Sequence, residues 1–328
     1  MAHVAINGLG RIGRAAMKLV LDTSELNLAA VNDLISAENL AYLLTFDSVY
    51  GTYEKEVSFN DDSLTVDGKE YRLFHEKDPS DLPWKKMNID IVFECTGIFR
   101  KEKDLNKHIE AGAGRVTLSA PAKDADVVSV VHGVNAPEKS PRILSCASCT
   151  TNCITPVTEV MNRRIGIRKA AMTTIHAYTS TQGVVDGPSS KLRRGRAAAG
   201  NIVPTSTGAA KATTLSLPEL EGHLDGAAVR VPVMCGSIAD MVFLTEKPTT
   251  VEALSGILTQ ESESERYRGI LGVTEEPLVS SDIIKDPRAS IVDLSMTQVI
   301  DGDMVKIMSW YDNEWGYAQQ MIRAALDE

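Results

Sequence analysis

The sequence predicts an α/β fold in two parts: a doubly wound first domain, and a second, α+β domain with a mixed, largely antiparallel sheet. Three observations predict it. A short apolar strand runs straight into a glycine-rich turn and a helical stripe. Apolar strands then alternate with helical segments to about residue 148. Beyond that point the pattern lengthens into β segments that close in a tight-turn hairpin. Residues 1–148 with 313–328 are expected to form the first domain, and 149–312 the second.

The chain has 328 residues, 43% of them hydrophobic, enough for two cores. Thirty-four basic against 44 acidic residues give a net charge of −10, and no basic run offers a surface to nucleic acid or membrane. The start, Met1-Ala2-His3-Val4, does not read as a signal peptide, and no apolar run is long enough to span a bilayer. Five cysteines in a chain of this size read as reduced thiols of a cytoplasmic protein.

Taken in order, His3 to Ile6 form the first strand, followed at once by Gly8-Leu9-Gly10-Arg11-Ile12-Gly13 and a helical stripe of Ile12, Ala16, Leu19 and Val20. The strand Leu28–Asn32 ends in Asp33, twenty residues after Gly13. A G-x-G-x-x-G turn between strand and helix, with an acid at that distance, is a dinucleotide site of Rossmann type. The glycines allow the backbone to approach a pyrophosphate held at the helix N-terminus. Asp33 accepts from the adenosine ribose and repels a 2′-phosphate, so NAD is expected rather than NADP. Alternating residues between Val57 and Leu73, with turns at Asp61-Asp62 and Asp67-Gly68, predict antiparallel edge hairpins. Strands follow at Ile89–Glu94, Gly114–Ser119 and Val127–Val131, with Thr96 and Ser119 at the carboxyl ends where a cofactor lies.

Arg142-Ile143-Leu144 delivers the chain to Ser145-Cys146-Ala147-Ser148-Cys149-Thr150-Thr151-Asn152-Cys153. The spacing predicts Ser148 as N-cap of a helix and Cys149 in its first turn, where the helix dipole lowers a thiol from its ordinary value of about 8.5. Long β segments are expected over 170–176, 227–233, 239–246, 294–300 and 304–310, the last two around Asp301-Gly302, with helices near 208–215 and 250–262. His176 ends the first of these strands and is the base a nucleophilic Cys149 needs; His3, His75, His108, His132 and His223 sit in less suitable contexts. Gly187–Asn201 is a long basic segment with Arg193, Arg194 and Arg196, and Pro204–Gly208 opens a helix, which makes an anion site. Arg230 adds a further cation. A terminal helix from Asn313 is expected to pack back on the first domain. Cys146, Cys149 and Cys153 lack a fourth ligand, so no metal is expected.

The segments Asn7–Gly13, Ala147–Cys153, Thr174–Thr179, Ser206–Lys211 and Trp310–Tyr317 closely resemble the phosphorylating glyceraldehyde-3-phosphate dehydrogenase family, and the resemblance covers essentially the whole chain. It implies Cys149 as nucleophile and His176 as base. It implies Ser148, Thr150, Thr207 and Gly208, with Arg194 nearby, around the attacking inorganic phosphate, and Thr179, Thr181 and Arg230 around the substrate phosphate. Gly8, Gly10, Arg11, Ile12, Gly13, Asp33, Lys77, Thr96, Ser119, Asn313 and Tyr317 are implied at the NAD site. A homotetramer is implied as well, with the loop at about 178–203 reaching a neighbouring subunit.

Two positions depart from the family. Lysine stands at 77 where arginine is common, and cysteine at 146 where asparagine is usual. Cys146 reads either as a trap for oxidised Cys149 or as a small packing residue. The competing functional readings are erythrose-4-phosphate dehydrogenase, which the intact Ser-Thr-Gly-Ala-Ala-Lys stretch disfavours, and a catalytically idle NAD-binding redox sensor, which the complete Cys149, His176 and Arg230 set disfavours.

Overall fold

The structure, a computed structural model, describes residues 1–137 and 140–327. The chain divides into two units. The first comprises Met1–Val130, Pro137–Ala147 and Met321–Glu328; the second comprises Val131–Ala136 and Ser148–Gln320.

In the first unit β1 (Ala2–Asn7) buries its last four residues, the apolar Val4, Ala5 and Ile6 of a strand covered on both faces and the polar Asn7 at its end. It feeds α1 (Arg11–Leu21), which buries Ala15, Ala16, Leu19 and Val20, and then β2 (Leu26–Asn32). Ser36 caps α2 (Ala37–Thr45) by accepting the Asn39 N–H. A two-residue pair, β3 (Phe46–Asp47) with β4 (Gly51–Thr52), precedes the edge hairpins β5 (Val57–Asn60), β6 (Ser63–Val66) and β7 (Lys69–Phe74). Those hairpins turn at Asp61-Asp62 and Asp67-Gly68, and the positive φ of Asp67 (47°) and Gly68 (76°) is the backbone a type I′ turn requires.

The unit continues through β8 (Ile91–Glu94), α3 (Glu102–Glu110), β9 (Arg115–Leu118), β10 (Val128–Ser129) and β11 (Ile143–Ser145). The strand expected over Val127–Val131 is shorter than its apolar run, since only Val128 and Ser129 pair with β11. The nine strands run β10-β11-β9-β8-β1-β2-β7-β6-β5, parallel from β10 to β7 and antiparallel beyond it. From β1 the chain winds outward through β2, then returns to the other side at β8. The β1/β8 boundary is therefore the switch point where a ligand cleft opens.

In the second unit Ser148 caps α4 (Cys149–Arg164), and β12 (Ile167–Ala177) follows. The segment read as irregular contains two short 3-10 turns, Leu192–Gly195 and Ala198–Gly200, and then β13 (Val203–Ser206), so Pro204–Ser206 belong to a strand rather than to a loop opening a helix. Gly208 precedes α5 (Ala209–Ser216), and β14 (Leu224–Val231), β15 (Ser237–Thr245), α6 (Val251–Glu263), β16 (Leu271–Thr274), β17 (Ser290–Ile300), β18 (Met304–Tyr311) and α7 (Trp315–Leu326) complete it. The order is β13-β14-β12-β15-β18-β17-β16; β12/β14 and β16/β17 are parallel and the other pairs antiparallel.

The β17–β18 hairpin pairs Ile300 with Met304, so its loop has three residues, one more than an Asp-Gly turn alone. Thr245 N–H takes the Asp303 carbonyl, which would otherwise serve the ladder. Cys153, Ile154, Val157, Val160 and Met161 of α4 pack with Met172, Met241, Phe243, Val292 and Ile307 of the sheet to make the core. From Met321 onward α7 belongs to the first unit, where the Ala325 carbonyl accepts from Arg115 Nη2 at 3.3 Å. Among the described residues no helix is long and apolar enough to cross a membrane.

Candidate active site

The first unit holds a cleft of about 280 Å³ at the switch point, and Gly8, Gly10, Asp33, Lys77 and Thr96 all line it. Gly8 leaves β1 at φ +90°, and a Cβ there would stand 2.7 Å from the Thr96 backbone nitrogen, so only glycine permits this turn. A Cβ on Gly13 would fall 1.9 Å from the Gly8 carbonyl oxygen; the helix and turn touch through the missing side chain. Gly10 faces open space instead.

The Asp33 carboxylate accepts the Leu9 N–H at 2.6 Å and the Ile35 N–H at 3.1 Å, fixing it across the turn. Leu34 and Ile98, 56% and 71% exposed, give the cleft two apolar walls. A bare-backbone turn, an acceptor-only acid and flat apolar walls fit a dinucleotide. Arg11 directs its guanidinium to Asp47 at 2.6 Å and over the Tyr50 ring, so that side chain does not line the cleft; Ile12 lies half-buried in the same first turn of α1. Ser119 hydrogen-bonds the Cys95 thiol, which burial pushes up to about 12.

In the second unit Cys149 Sγ stands 3.4 Å from His176 Nε2. Three local features set the pair. Ala147 turns the chain at φ +53°, a left-handed backbone that non-glycine residues rarely adopt. Ser148 Oγ then accepts the Thr151 N–H at 3.1 Å, which starts α4 with Cys149 as its first residue. From the other side, the β12/β14 register sets Arg230 directly opposite His176. His176 Nδ1 lies 2.7 Å from the Ala177 carbonyl oxygen and 2.5 Å from Arg230 Nη1, one an acceptor and the other a donor, while Nε2 is the ring nitrogen turned to the sulfur. Arg230 Nη1 donates to the same carbonyl at 2.8 Å.

Burial and the Arg230 charge hold the imidazole down to about 3, so His176 rests neutral. The expected lowering of the Cys149 thiol is not what the structure shows. Burial pushes it up, while Arg230 and the Thr150 hydroxyl and backbone N–H pull it back. The resting pair is a thiol facing a neutral imidazole. Cys146 is buried, its thiol pushed well up by burial and by Cys95 beside it; such a thiol is a poor trap for an oxidised sulfur, which favours the packing reading.

The predicted phosphate residues are distributed unevenly. Thr179 and Thr181 bring their hydroxyls to 2.9 Å of each other just beyond β12. Arg230 Nε is buried and has no hydrogen-bond partner among the described residues, the state of a donor awaiting an anion. Arg194 is held by Thr205 Oγ1 (3.0 Å) and the Ser206 carbonyl (3.2 Å), and its charge acts on both His176 and Arg230. The Thr207 hydroxyl accepts the Ala209 N–H at 3.1 Å, and Gly208 faces open space. Ser148 and Thr150 use their hydroxyls inside the protein, on Thr151 and on the Tyr311 hydroxyl (2.8 Å).

Asn313 Oδ1 accepts from Gly236 N–H (3.2 Å) and Ser237 Oγ (2.8 Å), which turns its amide NH₂ outward as a donor; Tyr317 is buried in α7. Ser237 was not legible beforehand. It is fully buried and also accepts the Ala177 N–H at 3.1 Å, linking the base to Asn313. Tyr311 was missed too; it bonds Thr150 and Thr174 and meets the His176 ring edge-on at 5.9 Å. Neither carries a local motif, because each acts through pairings made by the sheet. No group of three or more metal-ligating side chains occurs among the described residues.

A dinucleotide cleft in one unit and a thiol–imidazole pair flanked by arginines in the other are the features of an NAD-dependent dehydrogenase. Residues 148–313 match the family described as glyceraldehyde 3-phosphate dehydrogenase, C-terminal domain, and residues 2–102 match its NAD binding domain. The chain is 46% identical over 324 residues to glyceraldehyde-3-phosphate dehydrogenase 2 of Streptomyces avermitilis, covering 98% of this chain and 96% of that one. It is 47% identical over 325 residues to the glyceraldehyde-3-phosphate dehydrogenase of Geobacillus stearothermophilus, with the same coverage of both chains. The chain belongs to the glyceraldehyde-3-phosphate dehydrogenase family.

Proposed function

We propose that this enzyme catalyses the glycolytic oxidation of D-glyceraldehyde 3-phosphate to 1,3-bisphosphoglycerate, with NAD and inorganic phosphate, through a thioester on Cys149. The observation that carries the reading is the 3.4 Å contact between the Cys149 sulfur and His176 Nε2. As sulfur adds to the aldehyde carbon, its proton passes to Nε2 and returns to the new oxyanion, giving a thiohemiacetal. When hydride leaves that carbon, Nε2 takes the hydroxyl proton and a thioester remains. Bound NAD would supply the hydride acceptor; the Gly8–Gly13 turn, through its backbone at Arg11 and Ile12, with Asp33, Lys77, Thr96 and Ser119 of the first unit, would hold it. A phosphate oxygen then attacks the thioester carbon, the C–S bond breaks, the leaving sulfur takes back the proton held on Nε2, and the acyl phosphate departs with the Cys149 thiol and neutral His176 restored.

Thr179, Thr181 and Arg230 hold the substrate phosphate, supported by the unpartnered Arg230 Nε. Arg194, Thr207 and Gly208, with Ser148 and Thr150, hold the attacking phosphate, supported by the open start of α5. The enzyme works as a homotetramer in the cytoplasm. Exposed Val184, Val185, Leu192 and Ile202 in the basic segment support the first statement, and five free cysteines support the second. NADH formation from glyceraldehyde 3-phosphate tests the reaction. It is expected to need added phosphate; turnover that ignores phosphate overturns the acyl-transfer half.

A further inference from the structure

Beneath the first unit's cleft lies a continuous chain of buried polar groups that the chemistry above does not use. Glu94 closes β8 and is 0% exposed. Its Oε1 accepts the Thr96 N–H at 2.8 Å and the Thr96 hydroxyl; its Oε2 accepts Asn7 Nδ2 at 2.6 Å and faces His108 Nε2 at 3.2 Å. Trp84 Nε1–H donates to His108 Nδ1 at 3.0 Å, so that nitrogen is bare and Nε2 carries the proton given to Glu94. From Asn7 the chain goes on: Asn32 Nδ2 donates to Asn7 Oδ1 at 2.7 Å and to the Glu76 carbonyl at 3.0 Å, while the Glu76 N–H donates to Asn32 Oδ1 at 2.9 Å.

The polarity of this chain admits one arrangement. Backbone groups cannot exchange donor for acceptor. The Glu76 N–H fixes Asn32 Oδ1, which turns Asn32 Nδ2 to Asn7 Oδ1, which turns Asn7 Nδ2 to position 94. From the other side the Thr96 N–H also points at position 94, and the indole sets His108 to donate there as well. Only an acceptor-only side chain satisfies donors from both directions, and that is a carboxylate. The two ends of the chain, Thr96 and the Glu76–Lys77 loop, are walls of the cleft, and Asn7 and Asn32 are the residues from which the Gly8 turn and Asp33 depart.

We propose that Glu94 is the positioning residue of the cofactor cleft, a buried carboxylate whose donors hold Thr96 and, through Asn7 and Asn32, the Glu76–Lys77 loop at the spacing NAD requires. This rests on the assignment of NAD to that cleft. In Glu94→Gln the new amide presents N–H groups to donors, and the conflict runs along the chain to the cleft walls.

Isothermal titration of the native enzyme with NAD sets the reference; a native protein that does not bind NAD overturns the cofactor assignment rather than this inference. Glu94→Gln is expected to raise the Kd for NAD about tenfold or more, equal to about 1.4 kcal/mol. Its kcat at saturating NAD and its rate of Cys149 alkylation without NAD should stay within about twofold of native. The double variant Asn7→Asp with Glu94→Gln exchanges donor and acceptor between positions 7 and 94 while His108 Nε2–H still meets the amide, so its Kd should fall well below that of Glu94→Gln without reaching native, and Asn7→Asp alone should bind poorly. An unchanged Kd in Glu94→Gln, or no recovery in the double variant, overturns the proposal. Should Glu94→Gln fail to fold, nitrogen-15 chemical shifts of His108 in the native apo-enzyme still decide it: a protonated Nε2 with a bare Nδ1 is expected, and a proton on Nδ1 overturns the polarity on which the proposal stands.

Discussion

Cys149 and His176 lie 27 residues apart in sequence and 3.4 Å apart in space, and the environment around them decides how they work. The dipole of α4 alone would favour a thiolate, but burial of the sulfur opposes charge more strongly. The pair therefore rests neutral, and in the proposed mechanism the proton moves as the substrate is attacked. Cys149→Ser should leave NAD binding intact while aldehyde oxidation falls below about a hundredth of native, because an alcohol is not activated by this base; a larger residue of activity in an NADH assay would argue against covalent catalysis. His176 makes a separate prediction for stability. Its folded value, about 3, lies below the unfolded value of about 6.5, so its neutral form stabilises the fold above pH 6.5 and that contribution is lost as pH falls toward 3. Denaturant unfolding of native protein and His176→Gln at about pH 7 and pH 4.5 should show native losing about 2 kcal/mol relative to the variant. A gap that does not change with pH would mean that His176 is not held neutral.

At the scale of elements, two junctions do most of the positioning. The turn from β1 to α1 depends on missing side chains: a methyl group on Gly13 would lie 1.9 Å from the Gly8 carbonyl oxygen. Gly13→Ala must push α1 away from the turn. It should cost about 1–3 kcal/mol in denaturant unfolding and weaken NAD binding about tenfold by calorimetry; native affinity would show that the turn does not hold the cofactor. The second junction is the start of β15, where Ser237 joins the Ala177 backbone to Asn313. The β12/β14 register does the rest, since a shift of one residue would take Arg230 away from His176.

For the whole molecule, the segment between β12 and β13 carries Val184 (78% exposed), Leu192 (85%) and Ile202 (70%) beside three arginines. A monomer rarely leaves such residues uncovered together. Sedimentation equilibrium of the native protein should give the mass of four 35.5 kDa chains, and Val184→Asp with Leu192→Asp should lower it. A full tetramer in the double variant would place the subunit contact elsewhere.

The amino-acid sequence by itself determined what is local. The glycine turn with Asp33, the Ser148 cap of the cysteine helix, the hairpin at Asp67-Gly68 and the two kinds of sheet all follow from spacings of a few residues, because a turn or a cap is satisfied within its own neighbourhood. The motifs around Cys149 and His176 marked both residues as candidates for the same reason, and the fold brings them together. Only the tertiary structure decided the partners. That Arg230 stands opposite His176, that Arg11 turns to Asp47, that Ser148 and Thr150 bond inside the protein, and that Glu94 gathers donors from Asn7, Thr96 and His108 all depend on strand register and burial. A buried polar group takes whichever partner the packed chain brings to it, and that choice is made across tens of residues. The Cys149 thiol shows the consequence: its helix position was legible, while its raised protonation came from desolvation, which exists only once the chain has closed around the sulfur.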